Sequence, residues 1–194
     1  MTEADPTDFE LMERIAQGDD AAFQMLVERY QREVYGTIVR MLGDPTEAED
    51  LAQQVFIRVH RAAPRYKPSA QFRTWLFTIL RNLVFNESRR RSKSKSIPLI
   101  SAEEEEGGNH QDWADVDQKN PSDETVDRER MKHINAAIAE LPETHRMAVM
   151  LKAHQDLSYE EIALVMKISV SATKSILFRA RETLRRKLIE YLSK

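Results

Sequence analysis

The sequence predicts an all-α protein of two small helical domains joined by a flexible acidic linker, and three observations lead there. Apolar residues recur every three or four positions through the first 92 residues and again through the last third, the spacing that places them on one face of a helix. Only 5 of the 194 residues are glycine and 7% are aromatic, a composition poor in what sandwiches and barrels use. Between Ser92 and about Asp123 the periodicity lapses, and Glu103–Glu106 followed by a glycine pair offers no apolar face to bury, so the stretch reads as a tether.

The elements follow in order. A short helix is expected near Phe9 to Ala16. Asp19 or Asp20 after Gly18 can cap a second helix, whose stripe is Phe23, Leu26, Val27, Tyr30, Val34, Ile38, Met41 and Leu42. Gly43, Asp44 and Pro45 end it, and Thr46 with Glu49 three residues on has the form of a capping box for a third helix carrying Leu51, Ala52, Val55, Phe56 and Val59. A turn around Pro64 to Ser69 leads into FRTWLFTILRNLVFNESRRR, Phe72 to Arg91, the fourth helix. The tether comes next. If flexible, 31 residues span roughly 30 Å on average and roughly 100 Å at full stretch, so the domains it joins can sit far apart on a large partner.

In the last third a helix from about Glu124 to Glu140 precedes Pro142, placed in the first turn of another that runs to about Ala153. Ser158 and Glu161 form a capping box for a short helix ending at Met166. Lys167, Ile168 and Ser169 make a turn, with Ser169 able to cap a long helix from Val170 to about Leu192. Short helix, tight turn and long basic helix is the outline of a helix-turn-helix.

Charge distribution says more than the net value of −3. Residues 1–84 hold 10 Lys and Arg against 13 Asp and Glu, 85–96 hold 5 against 1, 97–127 hold 1 against 10, and 128–194 hold 13 against 8. Two basic regions flank an acidic tether, which suits a protein meeting nucleic acid at two places. The absence of cysteine excludes disulfides, thiolate metal sites and a Cys nucleophile, and fits a reducing cytoplasm. No secretory leader or apolar run near 18 residues is present in the chain, so no membrane insertion is expected. His60, His110, His133, His145 and His154 lack metal-motif spacing and no phosphate-binding glycine loop occurs; neither an enzyme nor a cofactor or metal is indicated.

Three helical faces carry the functional reading. On the last helix, Val170, Thr173, Leu177, Ala180, Leu184 and Leu188 form the packing side. Ser171, Ala172, Ser175, Phe178, Arg179 and Arg186 lie opposite, with Lys174, Arg181 and Arg185 along an edge. Small side chains at a helix N-terminus allow close entry into a major groove, and Lys and Arg farther on reach phosphates and guanine edges. On the third helix Asp50, Gln53, Gln54, Ile57 and Arg58 make a mixed face suited to a partner helix, although a plain surface helix has the same look. On the fourth, Trp75, Asn82, Asn86 and Arg89 fall within about 60° of one another at 100° per residue. A surface holding an unstacked strand needs stacking groups, amides and cations; Trp75 offers the first, Asn82 and Asn86 the second, Arg89 to Arg91 the third.

The run Tyr159-Glu-Glu-Ile-Ala163 with Lys174-Ser175 and Arg179-Ala180-Arg181 resembles region four of the extracytoplasmic-function sigma factors. Asp50-Leu-Ala-Gln-Gln-Val-Phe-Ile-Arg58 resembles their region two polymerase-binding segment, and Phe72-Arg-Thr-Trp-Leu76 with Asn82 their promoter-melting segment. Three matches in family order span most of the chain outside the tether. The resemblance implies a sigma region two domain over residues 1–95, a linker over 96–127 and a sigma region four domain over 128–194. It implies core RNA polymerase, promoter DNA and an anti-sigma factor as partners. Asp50, Gln53, Gln54, Phe56, Ile57 and Arg58 would meet polymerase. Arg73, Trp75, Asn82, Asn86, Arg89 and Arg90 would meet the minus-ten element, and Ser169, Ser171, Ala172, Lys174, Ser175, Phe178, Arg179 and Arg181 the minus-thirty-five element. By the same resemblance the tether would run through the polymerase channel that later holds RNA, with Trp113 and Ile97 to Ile100 as anchors.

One departure stands out. Where the family has a Gly-Thr-Val run and then Lys-Ser-Arg, this chain reads Ser171-Ala172-Thr173-Lys174-Ser175-Ile176, which removes an arginine at 176 from the expected DNA contacts. A free-standing helix-turn-helix regulator and a protein-binding adaptor are the other classes, and the adaptor leaves both basic regions without a use.

Overall fold

A computed structural model describes residues 5–68, 70–95 and 124–192. The tether, with Trp113, Ile97 to Ile100 and Glu103–Glu106, lies outside them. The described residues form eight α-helices: α1 (Asp8–Ala16), α2 (Asp20–Leu42), α3 (Pro45–Ala62), α4 (Phe72–Lys95), α5 (Glu124–Ala139), α6 (Glu143–Ala153), α7 (Tyr159–Met166) and α8 (Val170–Leu192), with a 3₁₀ turn at Ala63–Arg65 before α4.

Local chemistry explains most of the boundaries. Thr7 and Glu10 form a capping box at α1, which satisfies otherwise orphaned N–H groups. Asp19 caps α2, its carboxylate accepting from the Ala22 N–H at 3.0 Å. Gly43 closes the same helix with φ 75°, a left-handed conformation that only glycine enters without steric penalty.

Two expected starts are corrected. The cap of α3 is Asp44, which accepts from the Glu47 N–H at 3.2 Å, and Pro45 occupies the first turn. Proline gives up no hydrogen bond there because the first N–H groups have no intrahelical partner, so Thr46 lies inside the helix and the Thr46 and Glu49 box does not form the cap. Pro142 likewise stands just before α6, in extended backbone, and Glu143 opens the helix. The Ser158 and Glu161 box at α7 forms as expected, with bonds of 2.8 and 3.1 Å.

Helices α1 to α4 share one apolar interior in which Leu11, Met12, Leu26, Val34, Ile38, Val55, Val59, Leu76 and Leu80 are fully or almost fully buried. Each such side chain removed from water contributes roughly 1.5–3 kcal/mol before entropy is counted. In the C-terminal part α5, α6 and α7 pack around α8, where Leu177, Ala180 and the Thr173 methyl and hydroxyl are buried. The Thr173 hydroxyl donates to the Ser169 carbonyl at 3.1 Å, so burial leaves it satisfied.

The turn between α7 and α8 hinges on Lys167, a non-glycine residue at φ 56°. Its N–H reaches the Ala163 and Leu164 carbonyls, and the Ile168 N–H reaches Ala163 O at 3.1 Å, closing α7. The two helical parts also touch one another: α7 packs on α4, and α5 and α6 on α2.

Capping geometry gives a direct check. Asp44→Ala should lower the unfolding free energy by about 1 kcal/mol and Thr46→Ala by no more than about 0.5 kcal/mol, measured by urea denaturation; the reverse order would return the cap to Thr46. Lys167→Gly should stabilise the chain by about 1 kcal/mol by relieving the left-handed backbone.

Candidate nucleic-acid and polymerase interfaces

The turn from α3 to α4 builds a cleft. Arg58, Arg61 and Ala62 come from the end of α3, Arg65, Tyr66 and Lys67 from the turn, and Trp75 from the first turns of α4; together they enclose about 530 Å³. Four cations line it and no acid does.

Its aromatic wall is fixed by packing. The Trp75 ring lies 4.9 Å from Tyr66 and 5.6 Å from Phe72, and Tyr30 backs Phe72 at 5.3 Å. Tyr30 is itself anchored, its hydroxyl donating to Asp8 at 2.6 Å while Arg29 holds the other carboxylate oxygen at 2.6 Å. Burial and then the Asp8 contact push the Tyr30 hydroxyl far above its usual range. Burial also raises the Tyr66 hydroxyl, so it stays neutral and adds no negative charge to the cleft.

A rigid aromatic shelf beneath four cations can stack a base and hold its phosphates. Trp75 was expected there; Arg61, Arg65, Tyr66 and Lys67 were not. The basic and aromatic run Arg61-Ala-Ala-Pro-Arg-Tyr-Lys67 was the available signal, obscured because it reads first as a turn.

Farther along α4 the edge continues through Asn82, Asn86 and Arg89, the last two exposed. Asn82 is half-buried, with its Oδ1 accepting from Arg81 at 3.0 Å. Arg90 is held against Glu87 by bonds of 2.7 to 3.1 Å, which lower the Glu87 carboxyl. Arg91, expected among the strand cations, turns to α3 instead. It donates to the Leu42 carbonyl at 3.1 Å and bonds Glu47, which ties the C-terminal half of α4 to the junction of α2 and α3.

Arg73 requires a larger correction. It lies about 160° around α4 from Trp75 by helical periodicity, with one guanidinium nitrogen 2.8 Å from Glu33 and 2.8 Å from the Gln155 side chain. It faces the C-terminal helices and does not join the Trp75 edge.

On α3, Asp50, Gln53, Gln54, Ile57 and Arg58 are exposed. Ile57, 46% exposed, sits among the polar members as an apolar centre with a polar rim, the anatomy of a contact patch. Phe56 departs from expectation: it is 7% exposed and belongs to the core, because it falls near the Val55 and Val59 stripe. Its expected polymerase contact is not available in this arrangement.

On α8 the side chains of Ser171, Lys174, Ser175, Phe178, Arg179 and Arg181 are exposed, Phe178 by 65%. Ala172 is half-exposed, and Ser169 caps the helix through the Ala172 N–H at 3.1 Å. A row of small hydroxyls with a protruding apolar ring and flanking cations has the groups that read base edges, thymine methyls and phosphates. Ile176 is half-buried and packs against the core, so the position where the family pattern has arginine serves packing here. Among the described residues no three His, Asp or Glu side chains gather in a way that could hold a metal ion.

These surfaces define the class: an all-helical protein with a basic aromatic cleft in one helical unit and a helix-turn-helix in the other. Comparison with known proteins gives the family. Residues 26–94 match Sigma-70 region 2 and residues 132–184 match Sigma-70, region 4. The chain is 36% identical over 179 residues to the RNA polymerase sigma-H factor of Pseudomonas aeruginosa, covering 91% of each. It is 35% identical over 185 residues to the ECF RNA polymerase sigma-E factor of Escherichia coli K12, covering 94% of each.

Among solved structures it resembles CnrH in complex with the cytosolic domain of CnrY (TM-score 0.67, 22% identity, 94% of this chain and 97% of the other). It also resembles the sigma factor RpoE in complex with the anti-sigma factor NepR from Bartonella quintana (TM-score 0.64, 21% identity, 86% and 96%). The chain belongs to the extracytoplasmic-function sigma factors, which are initiation factors of transcription and not enzymes. Two sigma regions in order on one chain do not favour a free-standing regulator. No helix among the described residues is long and apolar enough to cross a membrane.

The cleft can be titrated. With labelled single-stranded DNA, Arg61→Ala and Arg65→Ala should each make the slope of log affinity against log salt shallower by about 0.7. Because both residues are exposed, stability should change by no more than about 0.5 kcal/mol. Unchanged slopes would remove these cations from the strand path.

Proposed function

We propose that this chain docks on bacterial core RNA polymerase in the cytoplasm, recognises a minus-thirty-five element and opens and reads a minus-ten element. Within the chain, residues 1–95 act as the region two domain, 96–127 as the linker and 128–194 as the region four domain. The exposed α3 face, Asp50, Gln53, Gln54, Ile57 and Arg58, meets polymerase. Ile57 supplies the desolvated centre and the polar residues supply register.

The minus-ten strand enters the cleft between α3 and α4. There Tyr66 and Trp75 replace the stacking a base loses on leaving the duplex, a loss of a few kcal/mol per base. Arg61, Arg65 and Lys67 neutralise phosphates, and Asn82, Asn86 and Arg89 continue the path along α4. On α8, Ser169, Ser171, Ala172, Lys174, Ser175, Phe178, Arg179 and Arg181 meet the minus-thirty-five duplex, with the small residues entering the groove first. An anti-sigma factor is the class of protein that restrains the chain; the similar fold of RpoE from Bartonella quintana is found in complex with the anti-sigma factor NepR.

The observation that carries this reading most is the pairing of an acid-free, aromatic-backed cleft with an exposed recognition helix on a chain that contains both sigma regions. Run-off transcription with core enzyme and genomic fragments tests it: the chain should direct initiation that core alone does not, with permanganate reactivity at the minus-ten region. Asn82→Ala should reduce that reactivity about tenfold while polymerase binding persists. Ile57→Asp should do the opposite, weakening polymerase binding by about tenfold or more. Footprinting of duplex DNA by the chain without polymerase, and no run-off product with it, would overturn the proposal.

A further inference from the structure

The aromatic shelf of the cleft rests on residues that do not line it. Phe72 and Tyr30 are buried, and their rings lie 5.3 Å apart behind the shelf. Tyr66 meets Phe72 at 6.0 Å and Trp75 at 4.9 Å, while Phe72 meets Trp75 at 5.6 Å. Three rings therefore close a triangle, and Tyr30 is the ring beneath it. Close-packed interiors transmit strain, so a displacement of Tyr30 passes to Phe72 and from there to Trp75.

The position of Tyr30 is set by Asp8, the first residue of α1. The two carboxylate oxygens of Asp8 are divided between neighbours on α2: one accepts from the Tyr30 hydroxyl and the other from Arg29, both at 2.6 Å. Helix capping does not explain this carboxylate, because Thr7 and Glu10 already close the start of α1. Arg29 does not depend on it either, with Asp5 at 3.0 Å and the Pro6 carbonyl at 2.8 Å as further partners. The Tyr30 hydroxyl has Asp8 as its one hydrogen-bond partner among the described residues. A buried hydroxyl without an acceptor is unstable where it stands, and movement of the ring toward water is the available relief.

α1 also packs on the 3₁₀ turn that carries Arg65. The Asp8 charge is near enough to Tyr66 to add to burial in raising its hydroxyl. Asp8 nevertheless lies outside residues 26–94, the part that matches Sigma-70 region 2.

We infer, on the reading that the cleft takes the minus-ten strand, that Asp8 and Tyr30 are positioning residues for its capture: their hydrogen bond braces α1 beneath the triangle of Phe72, Tyr66 and Trp75 and fixes where Trp75 meets a base. Neither side chain lines the cleft. A shelf free to move has to be ordered as the base binds, and that entropy weakens binding even with every cleft residue in place.

The test uses the full chain carrying Trp113→Phe, which leaves Trp75 as the single tryptophan. Trp75 anisotropy then reports the mobility of the shelf, and binding of labelled single-stranded DNA of mixed sequence reports its use. Asp8→Ala should lower the anisotropy and weaken strand binding about fivefold, the effect of one charge-assisted hydrogen bond. Tyr30→Phe, which keeps the ring and loses the bond, should do the same, and the double variant should be no worse than either single one. Asp8→Asn keeps an oxygen that can accept from Tyr30 and should restore both readouts. Urea titration identifies a temperature at which all the variants are folded.

A lowered urea midpoint with unchanged Trp75 anisotropy and strand affinity would reduce the pair to a structural role and overturn the inference. Additive losses in the double variant, or an Asp8→Asn protein as impaired as Asp8→Ala, would overturn it as well. Strand affinity lost in Arg61→Ala but kept in Asp8→Ala and Tyr30→Phe would overturn the brace and leave the cleft reading standing. Affinity indifferent to Arg61→Ala and Arg65→Ala too would overturn the cleft reading, and the positioning role with it.

Discussion

The structure depends on how α4 divides its surface. Most of this helix is buried: Leu76, Leu80, Leu83 and Val84 complete the interior with α2 and α3, and Thr74 and Phe77 face α7. Burial on so much of its circumference fixes its rotation within tight limits, because turning it would expose several large apolar groups at roughly 1.5–3 kcal/mol each. What remains open is a narrow edge from Trp75 through Asn86 and Arg89. The residues that hold the helix in place thereby set the direction of that open edge.

Arginine does two kinds of work in this chain, and exposure separates them. Arg61 and Arg65 are exposed beside an aromatic shelf, where a solvated cation is available to a phosphate. Arg91 and Arg146 instead spend their donors on the carbonyls that end α2, Leu42 and Met41, groups that have no intrahelical partner and carry the negative end of the helix dipole. Burial lowers the Arg146 pKa, a sign that its desolvation is only partly offset. One helix end is therefore tied to the N-terminal half by one arginine and to the C-terminal half by another.

One guanidinium joins the exposed edge of α4 to the C-terminal helices. Arg81 bonds Asn82 on one side and the end of α7 on the other, and in doing so it fixes the Asn82 side chain. Departures at the head of α8 have a similar local logic. With Ile176 drawn into packing, the exposed side chains at the head of α8 include Ser171, Ser175 and Phe178, groups suited to close approach and methyl contact more than to guanine readout.

The sequence by itself determined the helices, the two-domain order, the packing stripe of α8 and the Ser158 and Ser169 caps, because these depend on neighbours within one or two turns. It also placed Asp50, Gln53, Gln54, Ile57 and Arg58 on one face and Trp75 with Asn86 and Arg89 on another, since helical period alone sets those angles. The same period put Phe56 with the Val55 and Val59 stripe, where it is buried, against the polymerase contact that the resemblance implies, and the Asp44 cap stays hidden because the proline after it reads equally well as a stop. Only the tertiary structure decided that Arg73 bonds a residue 82 positions away, that Tyr66 and three further cations join Trp75 in one cleft, and that α7 rests on α4. Those outcomes depend on contacts between distant segments, whose geometry follows from how whole helices pack and not from the periodicity of any one of them.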